Sequence, residues 1–180
     1  MHAIARKVLV SYLNEKKIPT LEELSAAELP DTKTKHLVFV TIYKDGAIVG
    51  SSGRVHAKRE NTILELVDNT LACLSDVRMA QALVTPTDLD KIKIRVDIIR
   101  NEDRRILQSY KDIDVKTEGY ILLSQNLGKL AVLLPHITNI AGSAEELFDI
   151  VCKKAGLEPA KLTSSDYVLY GIKSTSYSEF

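Results

Sequence analysis

One ordered pattern occurs twice along this chain of 180 residues, and it restricts the fold more than any other feature. The pattern is a hairpin, a capped helix, a turn opened by proline, and a strand. In the first copy, Val38, Val40 and Ile42 alternate with Leu37, Phe39 and Thr41, the period-two signature of a strand. Asp45-Gly46 follows, a hairpin turn that requires positive φ at both central residues. The return strand, residues 47–51, runs into Gly50, Ser51, Ser52 and Gly53, where two glycines leave the backbone bare. Thr62 and Glu65 form a capping-box pattern ahead of Ile63, Leu66, Val67, Thr70, Leu71 and Leu74, a one-faced helix. Thr85-Pro86-Thr87-Asp88 places proline at a first helical position. The strand after it turns Ile92, Ile94, Val96 and Ile98 inward and Lys91, Lys93, Arg95 and Asp97 outward to solvent.

The second copy keeps the order with little residue identity. Residues 120–124 and 129–134 predict a hairpin around Asn126 and Gly128. Ser143 and Glu146 cap a helix carrying Leu147, Phe148 and Val151, which stops at Gly156. Pro159 opens a turn, and residues 167–173 close with a strand. Ahead of both copies, residues 3–14 predict a helix with Ile4, Val8 and Tyr12 beside Ala5, Leu9 and Leu13. Ile18-Pro19 ends it, and Thr20 with Glu23 predicts a short second helix. Residues 100–118 are charged and aperiodic, a connection with a short strand around 111–115. The expected fold is α+β: a single two-lobed domain built from a duplicated hairpin–helix–strand unit plus an N-terminal helix, with the boundary near residue 110.

Composition narrows the function classes. Hydrophobic residues at 45% and charged residues at 27% are the balance of a globular protein. Twenty-four basic residues face 24 acidic ones, so the chain lacks the basic body that phosphate-backbone binding needs, and nucleic acid is not the expected partner. Cys73 and Cys152 stand apart, with no disulfide framework or zinc spacing, which fits a reducing compartment. No signal peptide or membrane span is readable, and the expected location is the cytoplasm.

The chemistry-bearing motifs are few. There is no phosphate-binding loop, dinucleotide fingerprint, nucleophile elbow or kinase signature. The four histidines, at 2, 36, 56 and 136, form no pair at ligand spacing, so neither a metal nor another cofactor is expected. What remains is the glycine-flanked strand end. Gly50, Ser51, Ser52 and Gly53 offer hydroxyls and backbone N–H groups to a small anion, with Asn69, Asp76 and Arg78 as the polar surround. Ser51 with His56 as its base is the enzymatic alternative, although no acid partner for the pair is identifiable. His136 reads as an edge histidine, and the two cysteines read as packing thiols.

Several stretches converge on one family. Residues 39–44 (FVTIYK), 69–79 (NTLACLSDVRM), 119–137 (GYILLSQNLGKLAVLLPHI) and 146–157 (ELFDIVCKKAGL), with Tyr170, Tyr177 and Phe180 at the end, resemble the AMMECR domain family. Prokaryotic members of that family belong to the AmmeMemoRadiSam set. The resemblance implies a cytosolic α+β fold of two unequal lobes, and the duplicated pattern itself predicts a groove between lobes. The resemblance also implies association with a Memo-like protein and a radical SAM protein, and it supplies no reaction. The family signature Leu-Arg-Gly-Cys-Ile-Gly stands here as Ile48-Val49-Gly50-Ser51-Ser52-Gly53, so the glycines remain while the arginine and cysteine are gone. The family's Asp-Pro-Arg-Phe stands as Asp76-Val77-Arg78-Met79. The expected function is an accessory or binding module, the alternative an enzyme that uses Ser51. A hydroxyl without a base is a far poorer nucleophile than a thiolate.

Overall fold

The structure is a computed structural model, and it describes residues 1–76, 84–135 and 142–180. The chain divides into two compact units, Met1–Ile98 with Thr175–Phe180, and Ile99–Ser174. Residue 110 falls inside the second unit.

The first unit holds helix α1 (His2–Glu15), the hairpin β1 (Leu37–Lys44) and β2 (Ala47–Gly53), helix α2 (Thr62–Cys73), strand β3 (Ile92–Ile99), and the last strand, β8 (Thr175–Ser178). Its sheet runs in the order β2-β1-β3-β8, with β1–β2 and β3–β8 antiparallel. Val38, Val40, Ile42, Ile92, Ile94, Val96 and Ile98 form one sheet face, buried against Ile4, Ala5, Val8 and Leu9 of α1 and Ile63, Leu66 and Val67 of α2. Both central residues of the β1–β2 turn have positive φ, 51° at Asp45 and 80° at Gly46. The two residue types there suit that conformation, since glycine bears no Cβ and aspartate tolerates the left-handed region.

The second unit holds β4 (Arg104–Leu107), the hairpin β5 (Gly119–Ser124) and β6 (Lys129–Leu133), helix α3 (Ala144–Ala155) and β7 (Val168–Ile172). Its order is β4-β7-β5-β6, with every pairing antiparallel. Leu107, Tyr120, Leu122, Ala131, Leu133 and Leu169 bury their side chains against Leu147, Phe148, Val151 and Cys152 of α3. The Ser143 cap is made in full: its hydroxyl accepts from the Glu146 N–H at 3.2 Å, and the Glu146 carboxylate accepts from the Ser143 N–H. Gly156 ends α3 at φ 70°.

The duplication is therefore present at the level of topology. In each sheet the second hairpin strand lies at one edge, then come the first hairpin strand and the strand that follows the helix. The fourth place is filled by exchange: β4 follows β3 in the chain but pairs with β7, and β8 follows β7 but pairs with β3.

Four local expectations are corrected. Thr20 and Glu23 do make their reciprocal cap, at 2.9 and 3.3 Å, but it closes a single turn and no helix follows. The strand expected around 111–115 lies instead at β4, and residues 110–112 form a 3-10 turn capped by Ser109. Thr62 and Glu65 are not a capping box. Asn61 is the N-cap, its side chain accepting from the Leu64 N–H at 2.9 Å, and Thr62 is spent on Thr34. Finally, Asp97 is fully buried although its strand position turns it away from the helices. Arg95 donates to both of its carboxylate oxygens, at 2.8 and 2.9 Å, and that bidentate pairing offsets much of the cost of desolvating the charge.

Candidate functional site

The glycine-flanked strand end is the edge of the first sheet, where β2 approaches α2. Strand alternation divides its two hydroxyls between opposite faces. Ser52 pairs in register with Val40 on the helix-facing side, and Ser51 pairs with Thr41 on the other. The glycines are there for contact. A Cβ on Gly50 would lie 2.5 Å from the Cys73 carbonyl oxygen at the end of α2, and one on Gly53 would enter the Phe39 ring at 1.9 Å. The bare backbone is filled by the protein itself.

Its polar groups are engaged in the same way. The Ser51 N–H donates to Asp76 Oδ2 at 3.1 Å, so that donor is not available to an anion while Asp76 holds it. The Ser51 hydroxyl lies 3.3 Å from Thr41 Oγ1, a contact between two groups that are both neutral at ordinary pH. His56 lies beyond β2 and is exposed. The structure thus brings Gly50, Ser51, Ser52, Gly53, Asn69 and Asp76 together. Arg78 falls outside the described residues, as does His136.

Behind Ser52 runs a buried chain of hydrogen bonds. Ser52 Oγ donates to Asn69 Oδ1 at 3.1 Å. The Asn69 amide nitrogen donates to the Val38 and Glu65 carbonyls, at 3.1 and 3.0 Å, and lies 3.3 Å from Glu65 Oε1. Glu65, 1% exposed, also accepts from Arg54 Nη1 at 2.8 Å and from the N–H groups of Lys58 and Arg59 at 2.9 Å each. Burial alone would raise the Glu65 pKa. The hydrogen bonds from Arg59, Arg54 and Lys58 outweigh it and hold the carboxyl below its ordinary value. Arg59 in turn forks onto both oxygens of Asp68, at 2.7 and 2.8 Å. The sequence reads Glu65 only as half of a capping box; its ion pair with Arg54, which also lies 3.6 Å from Asp68, is not foreseen there. The signal was there: Thr62, Glu65 and Asn69 recur at helical spacing beside the apolar face of α2, so three polar side chains enter a core.

Chemically, this arrangement positions and orients. A serine becomes a nucleophile when a base takes its proton, and an amide, a second hydroxyl and an ion-paired carboxylate are poor bases for that task. Among the described residues, no group of three or more His, Cys, Asp or Glu side chains is placed to hold a metal ion. Among them, too, no helix is long and apolar enough to cross a membrane. Both thiols are buried; burial and the charge of Asp149 push the Cys152 thiol up to about 11.

A duplicated antiparallel α+β body with a self-filled strand end defines a class that comparison with known proteins identifies. The AMMECR1 family pattern matches residues 2–177, and the chain belongs to that family. The fold is also that of an uncharacterised protein from Pyrococcus horikoshii, whose crystal structure superposes with a TM-score of 0.84 at 20% identity over 99% of this chain and 89% of that one. No curated protein matches the chain.

Proposed function

We propose that this AMMECR1-family protein is a cytoplasmic accessory module that binds partner proteins non-covalently, the Memo-like and radical SAM proteins of the AmmeMemoRadiSam set among them. The observation that carries this reading is the state of the signature segment. At the position of the family's cysteine stands Ser51, whose N–H is held by Asp76 and whose hydroxyl faces Thr41. A backbone so held presents a fixed surface to a partner, and such preorganisation favours non-covalent recognition. The loss of the signature arginine at Val49 points the same way, since it removes a charge that could have fixed an anionic substrate.

The test is a calorimetric titration of the protein with a purified Memo-like protein and with a radical SAM protein from the same source. Saturable binding is expected, unchanged when Ser51 is replaced by alanine. Absence of binding to both would remove the proposal. A turnover that Ser51→Ala abolishes would establish the enzymatic alternative in its place.

A further inference from the structure

The second unit carries a cleft of about 380 Å³ beside α3. Its lining divides by chemistry. Tyr110, Phe148, Pro159 and Ala160 form apolar walls, while Glu145 and Asp149, one helical turn apart on α3, add two carboxylates. Tyr110 and Phe148 are stacked, with ring centres 4.7 Å apart and planes at 14°, so that wall is already fixed. Among the described residues, neither carboxylate has a hydrogen-bond or ion-pair partner. Glu145 stands in the first turn of α3, where the helix dipole favours a negative charge. Asp149 has no such reason. It stands in mid-helix, half-buried, with like charges three and four residues before it, an arrangement that costs α3 stability. The Lys111 ammonium rests 5.8 Å from the Tyr110 ring centre, yet it pairs with neither carboxylate.

We propose that this cleft takes an arginine side chain from an exposed segment of a partner protein. Charge complementarity selects the head group. Two carboxylates left unpaired within the chain accept a guanidinium, whose planar fork fits a carboxylate better than an ammonium does. The apolar walls cover the methylenes of the arginine stem. Charge also separates a side chain from free arginine. The α-carboxylate of the free amino acid would meet two carboxylates and, among the lining residues, no positive group. The inference adds a contact to the partner-binding reading but does not rest on Ser51. Its failure would leave the calorimetric titration with the partner proteins as informative as before.

An amide NMR titration of the full chain with the blocked peptide Gly-Gly-Arg-Gly-Gly tests it, with the citrulline peptide as a neutral control of the same shape. Saturable shifts are expected at residues 145–149 and 159–161 with the arginine peptide, at a dissociation constant of about 1 mM, and none with the control. Asp149→Asn and Glu145→Gln should each weaken binding about threefold while leaving the far-ultraviolet circular dichroism unchanged. Shifts that fail to saturate by about 20 mM would overturn the proposal. Equal binding of the citrulline peptide, or binding that survives both substitutions unweakened, would overturn it too. Free arginine binding as tightly as the peptide would also overturn it, by assigning the cleft to a small basic metabolite.

Discussion

At the scale of single residues, Glu65 carries the most consequence. Its carboxylate anchors the stretch after β2 and steadies Asn69, which receives the Ser52 hydroxyl. Glu65→Ala leaves Arg54 and two backbone N–H groups without their acceptor, a change expected to cost about 3 kcal/mol of stability in urea denaturation. Because the folded-state pKa of Glu65 is depressed, its contribution is present above the ordinary glutamate range and lost as pH falls through the lower folded value. The urea midpoint of the wild type should therefore fall more steeply on acidification than that of Glu65→Gln. Parallel curves would assign the acid sensitivity to other carboxylates. Ser51→Ala, by contrast, should lower stability by no more than about 1 kcal/mol, because the bond to Asp76 uses the backbone. The Cys152 thiol, raised to about 11 by burial and Asp149, should stay unreactive toward a disulfide reagent at neutral pH until denaturant is added.

Elements show what a sequence discloses and what it hides. Period and turn chemistry place β1, the Asp45-Gly46 turn, α2, β3 and α3 close to where they lie, because each is decided by neighbours a few residues apart. The signals that misled were also local. Thr62 and Glu65 have the spacing of a capping box, but both side chains were claimed from a distance, by Thr34 and by the residues after β2. Thr20 and Glu23 did form their box, yet the backbone leaves the helical region at Ser25, φ 57°, and the single turn did not propagate. At the strand end, the glycines have a packing role as well. Their bareness admits Cys73 and Phe39, which no local pattern announces. Gly50→Ala tests that packing: a Cβ 2.5 Å from a backbone carbonyl has nowhere to move, and a loss of about 1–3 kcal/mol is expected in thermal unfolding. Ser143→Ala should cost about 1 kcal/mol through the lost α3 cap, a smaller loss in the other unit.

Taken whole, the molecule is two copies of one supersecondary unit that have traded a strand. Because β8 completes the sheet of the first unit after the chain has built the second, that sheet cannot be finished by the first half of the chain alone. Arg6 of α1 helps hold the returning segment, donating to both Glu179 oxygens and to the Leu89 and Ile92 carbonyls, while Glu179 also accepts from the Ile94 N–H. Arg6→Ala should speed amide exchange in β8 and at its partner positions on β3 before the rest of the sheet, as seen by hydrogen-exchange mass spectrometry. Uniform exchange across the sheet would show that the pair does not act locally. On the proposed function, this body works by binding its partners, without a covalent step at Ser51. Intact-mass analysis after incubation with a serine-reactive fluorophosphonate tests this most directly. The native protein should form no adduct on Ser51; stoichiometric labelling that disappears in Ser51→Ala would show a reactive serine there instead.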